Sequence, residues 1–279
     1  MRLGRWLTVA LVGLIGLYVA GVGTLYVFQR DFLFIGAVRA NNAPPPPPGY
    51  RDVRMAATDG TPLRAWFKPP ALGKPVVLFF HGNGDTIAGS AAAVQPFTDR
   101  GYGALLPEYR GYGGMPGRPS EAVLAADARV AQHWLARMGV TDARTVLMGY
   151  SLGSGVATQL AVEIRPGALI LFAGYASIDQ VAAARFWFVP VRWLLKDHFD
   201  TASKLSKVTA PVLLLHGTAD RTVPFDNLAL LKRARSDAAS VTFPNIGHNL
   251  VYLPEVSGRA IAWLDMLGAS KTARAELPL

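Results

Sequence analysis

The stretch TVLMGYSLGSGVATQLA, Thr145–Ala161, runs an apolar segment into a glycine cluster and then into a helical pattern. Two chemistries use that shape. A phosphate-cradling loop needs glycines so that backbone N–H groups can approach a nucleotide, and a nucleophile elbow needs them so that a strained turn can lift a serine out of a sheet. The dinucleotide fingerprint G-x-G-x-x-G fails, because Ser151 stands where the second glycine belongs. Started from Gly153, it meets Thr158 in place of the third glycine, and no acidic residue follows at the distance a ribose requires. A Gly-Lys-Ser/Thr phosphate loop lacks its lysine. Gly149-Tyr150-Ser151-Leu152-Gly153 fits G-x-S-x-G at every position, between a strand and a helix as that motif demands.

Outward from the elbow, eight short apolar runs recur: 51–57, 62–68, 75–80, 103–106, 145–148, 168–172, 211–216 and 240–243. From the third onward they alternate with helical patterns, among them 120–137, 152–164, 226–234 and 254–266. Such alternation predicts an α/β fold, a mostly parallel eight-stranded sheet with helices on both faces. The first two runs, joined through Asp59-Gly60, read as an antiparallel hairpin leading into it. Ligands of such sheets sit beyond the carboxyl ends of the strands, so the strand-end residues are the ones that matter.

A serine hydroxyl is a weak nucleophile near neutral pH and needs a base, itself oriented by an acid. In the elbow's usual setting the order is Ser, acid, His. Of five histidines only His198, His216 and His248 follow Ser151, and His248, in NIGHNL after the last run, is placed to swing over the serine. His216 ends the apolar run VLLLH, and His198 lies in an aromatic segment. The acid is expected after the preceding strand, where HGTADRTVP offers Asp220; Asp226 reads as a helix N-cap and Asp200 lies before the strand. The developing oxyanion needs donors, for which the N–H groups of Leu152 and of Asn83 in HGNGD are the candidates. His81 reads as a residue that shapes this loop through side-chain hydrogen bonds. Tyr150 beside the serine is a candidate substrate contact; Arg110 and Tyr112, on a glycine-rich strand-end loop, are read first as part of a turn held by an internal Arg–carboxylate pair and second as candidate substrate contacts.

Taken together, QRDFLF (29–34), HGNGD (81–85), EYRGYGGMPGRPSE (108–121), GYSLGSG (149–155), FVPVRWLLKDHFDTASKL (188–205), LLLHGTADRTVP (213–224) and GHNL (247–250) resemble the α/β-hydrolase superfamily, more narrowly its membrane-anchored bud-emergence-type branch of serine hydrolases. The resemblance covers nearly the whole chain. It implies Ser151, Asp220 and His248 as a catalytic triad, Asn83 and Leu152 at the oxyanion hole, and no cofactor or metal. Glu108, where the family pattern has Asp, and Met115, where it often has Ser, depart from it and are expected at most to alter the pocket rim.

Residues Trp6–Phe28 form a 23-residue run without a charge. As a helix it is about 34 Å long, enough to cross a hydrocarbon core of about 30 Å. An uncleaved signal anchor over residues 1–30 is the reading, against a signal peptide cleaved near Gly21–Gly23 or a buried core helix. Arg2 and Arg5 before the run favour a cytoplasmic N-terminus and an exported catalytic domain; Arg30 and Arg39 after it weaken the bias. Residues 31–49, with Pro44–Pro48, read as a stiff proline-rich linker, and residues 50–279 as the catalytic domain. Within it, 177–207 interrupts the alternation with Phe186, Trp187, Phe188 and Trp193, and is expected to form a small helical cap over the site, with Phe186 and Trp187 as candidate pocket residues.

Cysteine is absent, which excludes thiolate enzymes, zinc–thiolate sites and disulfides. The net charge of +9 comes from scattered basic residues with no nucleic-acid module, so nucleic acid is not an expected partner. The expected function is hydrolysis of lipophilic carboxylic esters, thioesters or lipids through an acyl-enzyme on Ser151. Acyl transfer or peptidase chemistry by the same triad, and a non-catalytic membrane-bound scaffold, are the alternatives. A dehalogenase or epoxide hydrolase would need a carboxylate at position 151.

Overall fold

In the computed structural model, which describes residues 2–38 and 44–275, eight strands form one sheet. They are β1 (Arg51–Ala56), β2 (Pro62–Lys68), β3 (Val76–Phe80), β4 (Gly103–Pro107), β5 (Thr145–Tyr150), β6 (Ala168–Phe172), β7 (Val212–Gly217) and β8 (Ala239–Phe243). Their order is β1-β2-β4-β3-β5-β6-β7-β8, with β1–β2 and β2–β4 antiparallel and every other pair parallel.

The side chains of β3 show why the central runs are continuously apolar. Val76, Leu78 and Phe80 enter the core on one face while Val77 and Phe79 enter a second core on the other, as the two-residue period of a strand requires. Helices Glu121–Arg137, Leu152–Glu163 and Asp226–Ala234 contribute to the first core, and Ile87–Thr98 and Pro254–Ala275 to the second. Helix Ile87–Thr98 gives no clear periodic signal, since Gly89, Ser90 and Pro96 interrupt it. Ser120 caps its helix, accepting from the Val123 N–H at 3.2 Å. Asp226 does not act as an N-cap: it already lies in the first turn, after Phe225, and no side chain caps that end.

β4 and β5 flank β3 on opposite sides, so the chain reverses its winding direction there. The loop after β3 leads to a helix on one face and that after β5 to a helix on the other, which leaves a crevice at their carboxyl ends. The register pairs Phe80 with Gly149 and so brings His81 alongside Tyr150 and Ser151.

The N-terminal helix spans Arg2–Leu33, with Gly4–Leu33 long and apolar enough to cross a membrane. It is a candidate transmembrane span. Residues 4–21 are exposed along their whole length, but the end of the helix docks on the domain. Arg39 and the rest of 39–43 lie outside the described residues, as do Met1 and 276–279. The described part of the proline stretch touches the domain: Arg64 donates to the Pro44 carbonyl at 3.2 Å, and the Tyr50 N–H closes a turn onto the Pro47 carbonyl.

Candidate active site

Ser151 stands at the tip of the turn between β5 and helix Leu152–Glu163 with φ 50° and ψ −117°, a conformation that L-residues rarely adopt. Gly149 and Gly153 permit it. A Cβ on Gly149 would collide with the Gly153 carbonyl, and a Cβ on Gly153 would collide with the Phe80 carbonyl at the end of β3. Gly155 has another reason, since a Cβ there would strike the Tyr175 hydroxyl and the Phe199 ring rather than the sheet.

His248 follows β8 and Asp220 follows β7, and the two loops are tied together. The Ala219 N–H donates to the Ile246 carbonyl at 2.9 Å, and the Asn245 N–H donates to Thr218 Oγ at 2.9 Å. Asp220 Oδ2 lies 2.7 Å from His248 Nδ1, and His248 Nε2 lies 2.9 Å from Ser151 Oγ. Asp220 Oδ1 accepts the N–H groups of Thr222 and Val223, at 2.8 and 2.9 Å. Burial pushes the Asp220 carboxyl up, but the hydrogen bond and charge of His248 and the two backbone donors outweigh it, so it sits below the usual carboxylate range. An ionised carboxylate only accepts. His248 Nδ1 therefore donates to Asp220, which leaves Nε2 to accept from the Ser151 hydroxyl. His216 is buried and neutral: burial lowers it, and its Nε2 donates to the Val223 carbonyl at 3.0 Å. His198 is half-exposed, paired with Asp179 away from the serine, and Asp200 caps helix Thr201–Leu205 through the Ser203 N–H.

His81 and Glu108 set the loop after β3. His81 is fully buried, with Nδ1 2.8 Å from the Gly82 carbonyl and Nε2 2.9 Å from Glu108 Oε1. Burial alone would lower His81, but Glu108's hydrogen bond and charge raise it, and both ring nitrogens face acceptors. Glu108 Oε2 also accepts the Ile87 N–H at 3.0 Å. Glu108 is thus a buried support of the HGNGD loop, not a pocket-rim residue, and Met115 does not reach the rim either.

A cavity of about 840 Å³ opens at Ser151. Asn83, Leu152, Tyr150, His248 and Phe186 line it, and Asp85 is the one carboxylate among its described lining residues. Tyr150 donates to Asn249 Oδ1 at 3.0 Å, with its ring 5.2 Å from that of His248. Three residues that the sequence offers as pocket candidates are not brought there. Arg110 is buried in a bidentate pair with Asp127 and reaches Asp59 at 2.7 Å. Tyr112 is fully buried and donates to Asn83 Oδ1 at 2.7 Å. Trp187 points outward and is 83% exposed, because the helix Ile178–Arg185 ends just before it.

Conversely, residues not expected at the site are found there. Val22, Leu25, Tyr26, Gln29 and Leu33 of the N-terminal helix line the same cavity. Their 3–4 spacing was visible, but in a run that is apolar on all sides no face stands out.

Replacing Arg110 by Met keeps most of the volume but leaves the Asp127 carboxylate buried without its partner. We expect a loss of about 3 kcal/mol, the low end for a broken buried pair because Asp59 faces solvent. In a domain of this size that lowers Tm by roughly 6–12 °C, read by circular dichroism in detergent. An unchanged Tm would mean that the pair holds nothing.

The sheet order, the elbow at Ser151 and its position at the crevice define an α/β hydrolase. The comparisons agree: the family described as serine aminopeptidase, S33, matches residues 73–204. An uncharacterised Mycobacterium tuberculosis protein, MT2364, is 37% identical over 255 residues, 89% of this chain and 91% of that protein. The lysophosphatidylserine lipase ABHD12 of Danio rerio is 28% identical over 200 residues, 64% of this chain and 51% of the lipase. Among solved structures, the Pyrococcus furiosus esterase Pf2001 superposes with a TM-score of 0.64 at 15% identity, covering 81% of this chain and 96% of the esterase, a likeness of fold. The chain belongs to the α/β-hydrolase superfamily.

Proposed function

We propose that the protein is a membrane-anchored serine hydrolase of lipophilic carboxylic esters or thioesters, with Ser151, His248 and Asp220 as its triad. The observation that carries this reading is the line of two short hydrogen bonds from Asp220 through His248 to Ser151 at the edge of an apolar cavity. Ser151 Oγ attacks the acyl carbonyl as His248 Nε2 takes its proton, and the imidazolium then gives that proton to the leaving oxygen or sulfur. Water, deprotonated by the same nitrogen, releases the acid and restores the serine. The tetrahedral oxyanion rests on the N–H groups of Leu152, the first residue of the elbow helix, and of Asn83, whose side chain is held by Tyr112. No metal or cofactor enters these steps. Segment 177–207 serves as the cap, and the Arg2 and Arg5 end of the anchor stays in the cytoplasm, so the domain lies on the exported side.

The family description favours a second reading, peptidase activity on a free amino terminus. Such a substrate needs a carboxylate for its ammonium group. The cavity's Asp85 is already engaged: Oδ1 accepts the Thr86 N–H at 2.8 Å, and Oδ2 accepts the Tyr252 hydroxyl. That arrangement supports the ester reading over the peptidase one.

The test is fluorophosphonate labelling of the full-length protein in detergent, with the adduct mapped by mass spectrometry. We expect one adduct, on the peptide containing Ser151, and turnover of p-nitrophenyl esters in preference to aminoacyl anilides. A folded protein that takes no label would reject the hydrolase reading, and faster anilide cleavage would replace it with the peptidase one.

A further inference from the structure

The residues that the N-terminal helix gives to the cavity, Val22, Leu25, Tyr26, Gln29, Phe32 and Leu33, fall on one stripe of the helix. That stripe is fixed against segment 177–207 by polar contacts. Arg30 makes a bidentate pair with the buried Asp197, at 2.7 and 3.2 Å. Gln29 donates to the Leu194 carbonyl at 3.1 Å and accepts the Lys196 N–H at 2.8 Å. Tyr18 reaches the Phe188 carbonyl at 2.8 Å, and Asn83 of the oxyanion loop donates to the Leu33 carbonyl. Just past the helix, Phe34 is buried against the Phe199 ring. The helix end is therefore built into the site.

The other end of the helix fixes where this wall lies. A hydrocarbon core of about 30 Å takes about 20 residues, so a span that begins near Trp6 reaches the far interface near Leu25. The stripe, Val22 to Leu33, straddles that interface. Segment 177–207 runs along this part of the helix, from Phe188 beside Tyr18 to Leu194 beside Gln29, and shows Trp187, Trp193 and Phe188, which are 83%, 88% and 50% exposed, with Arg185, Arg192 and Lys196 exposed among them. Aromatic side chains flanked by cations are what a bilayer interface accommodates.

We propose that the last third of the N-terminal helix is the acyl-chain wall of the Ser151 cavity, so that the substrate is a long-chain ester resident in the bilayer that slides along the Val22–Leu33 stripe to the serine. This rests on the serine-hydrolase reading above. Val22 and Leu25 then determine chain-length specificity, although they lie more than 120 positions before the nucleophile in the chain.

The experiment uses the full chain in phosphatidylcholine vesicles, with p-nitrophenyl palmitate and butanoate as substrates. The readout is the ratio of kcat/KM for the long ester to that for the short one. Leu25→Trp, which fills the stripe, is expected to lower this ratio about tenfold, the scale of discrimination in an apolar pocket. Val22→Trp, one turn nearer the bilayer, is a second variant should the first fail to fold. Val27→Trp, on the opposite side of the helix and 65% exposed, should leave the ratio as in wild type. An unaltered ratio in both stripe variants, or an equal drop in Val27→Trp, overturns the wall. A wild-type protein that neither hydrolyses the esters nor takes a fluorophosphonate label rejects the hydrolase reading itself, so the two failures are told apart.

Discussion

Ser151→Ala is expected to lower kcat on esters by about 10⁶, and His248→Ala by a similar factor, while the double variant falls no further than either one. The reason is geometric. Ser151 Oγ is activated only through its 2.9 Å contact with His248 Nε2, so removing either member removes the same step. Whatever activity remains comes from the oxyanion donors and from binding in the cavity. The measurement is single-turnover hydrolysis beside thermal unfolding, which separates loss of chemistry from loss of fold. A third substitution gives an independent check on the elbow. At φ 50° an alanine keeps the strain of the native serine whereas a glycine relieves it, so Ser151→Gly should be inactive yet more stable than Ser151→Ala by about 1 kcal/mol. Additive losses in the double variant would show that Ser151 and His248 do not act as a unit.

What the sequence makes legible here is local. The central strands show because both faces of the sheet are covered there and their runs are continuously apolar. The elbow shows because two carbonyls, at Phe80 and Gly153, leave no room for a Cβ on the flanking residues. The order of HGNGD, GYSLGSG, HGTAD and GHNL then singles out the three side chains that the fold brings into line. What stays hidden depends on contacts far apart in the chain. Arg110 finds Asp59, 51 residues away, and Asp127; the glycine-rich turn suggests an internal carboxylate pair, but nothing near it in sequence says which carboxylates complete it. Phe186 faces the cavity and its neighbour Trp187 faces away, a division set by where a short helix ends. The N-terminal helix is the clearest case. Gln29 meets Leu194 across 165 residues, and the one local hint is that polar Gln29 and Arg30 end the apolar run.

Asp220→Asn should cost about 10⁴ in kcat with little change in the fold, because it puts the proton on the wrong side of His248. Oδ1 of Asp220 accepts two backbone N–H groups, from Thr222 and Val223. In the asparagine variant the amide oxygen takes that place, since an NH₂ group there would face two donors. Its NH₂ then faces His248 Nδ1, which must become an acceptor, so the ring proton moves to Nε2, where it can no longer take the proton of Ser151. Nitrogen NMR of the histidine ring reads this directly: Nδ1–H in the wild type and Nε2–H in the variant. The acid dependence of stability should change as well. The folded-state Asp220 carboxyl is depressed, so the stability it contributes is fully present above the unfolded value near 3.8 and is lost as pH falls through the lower folded value. The asparagine variant lacks that titration, and its stability should fall less steeply below about pH 4. A variant that keeps Nδ1–H and loses little activity would show that Asp220 does not set the tautomer, and the acid would then have to be sought elsewhere.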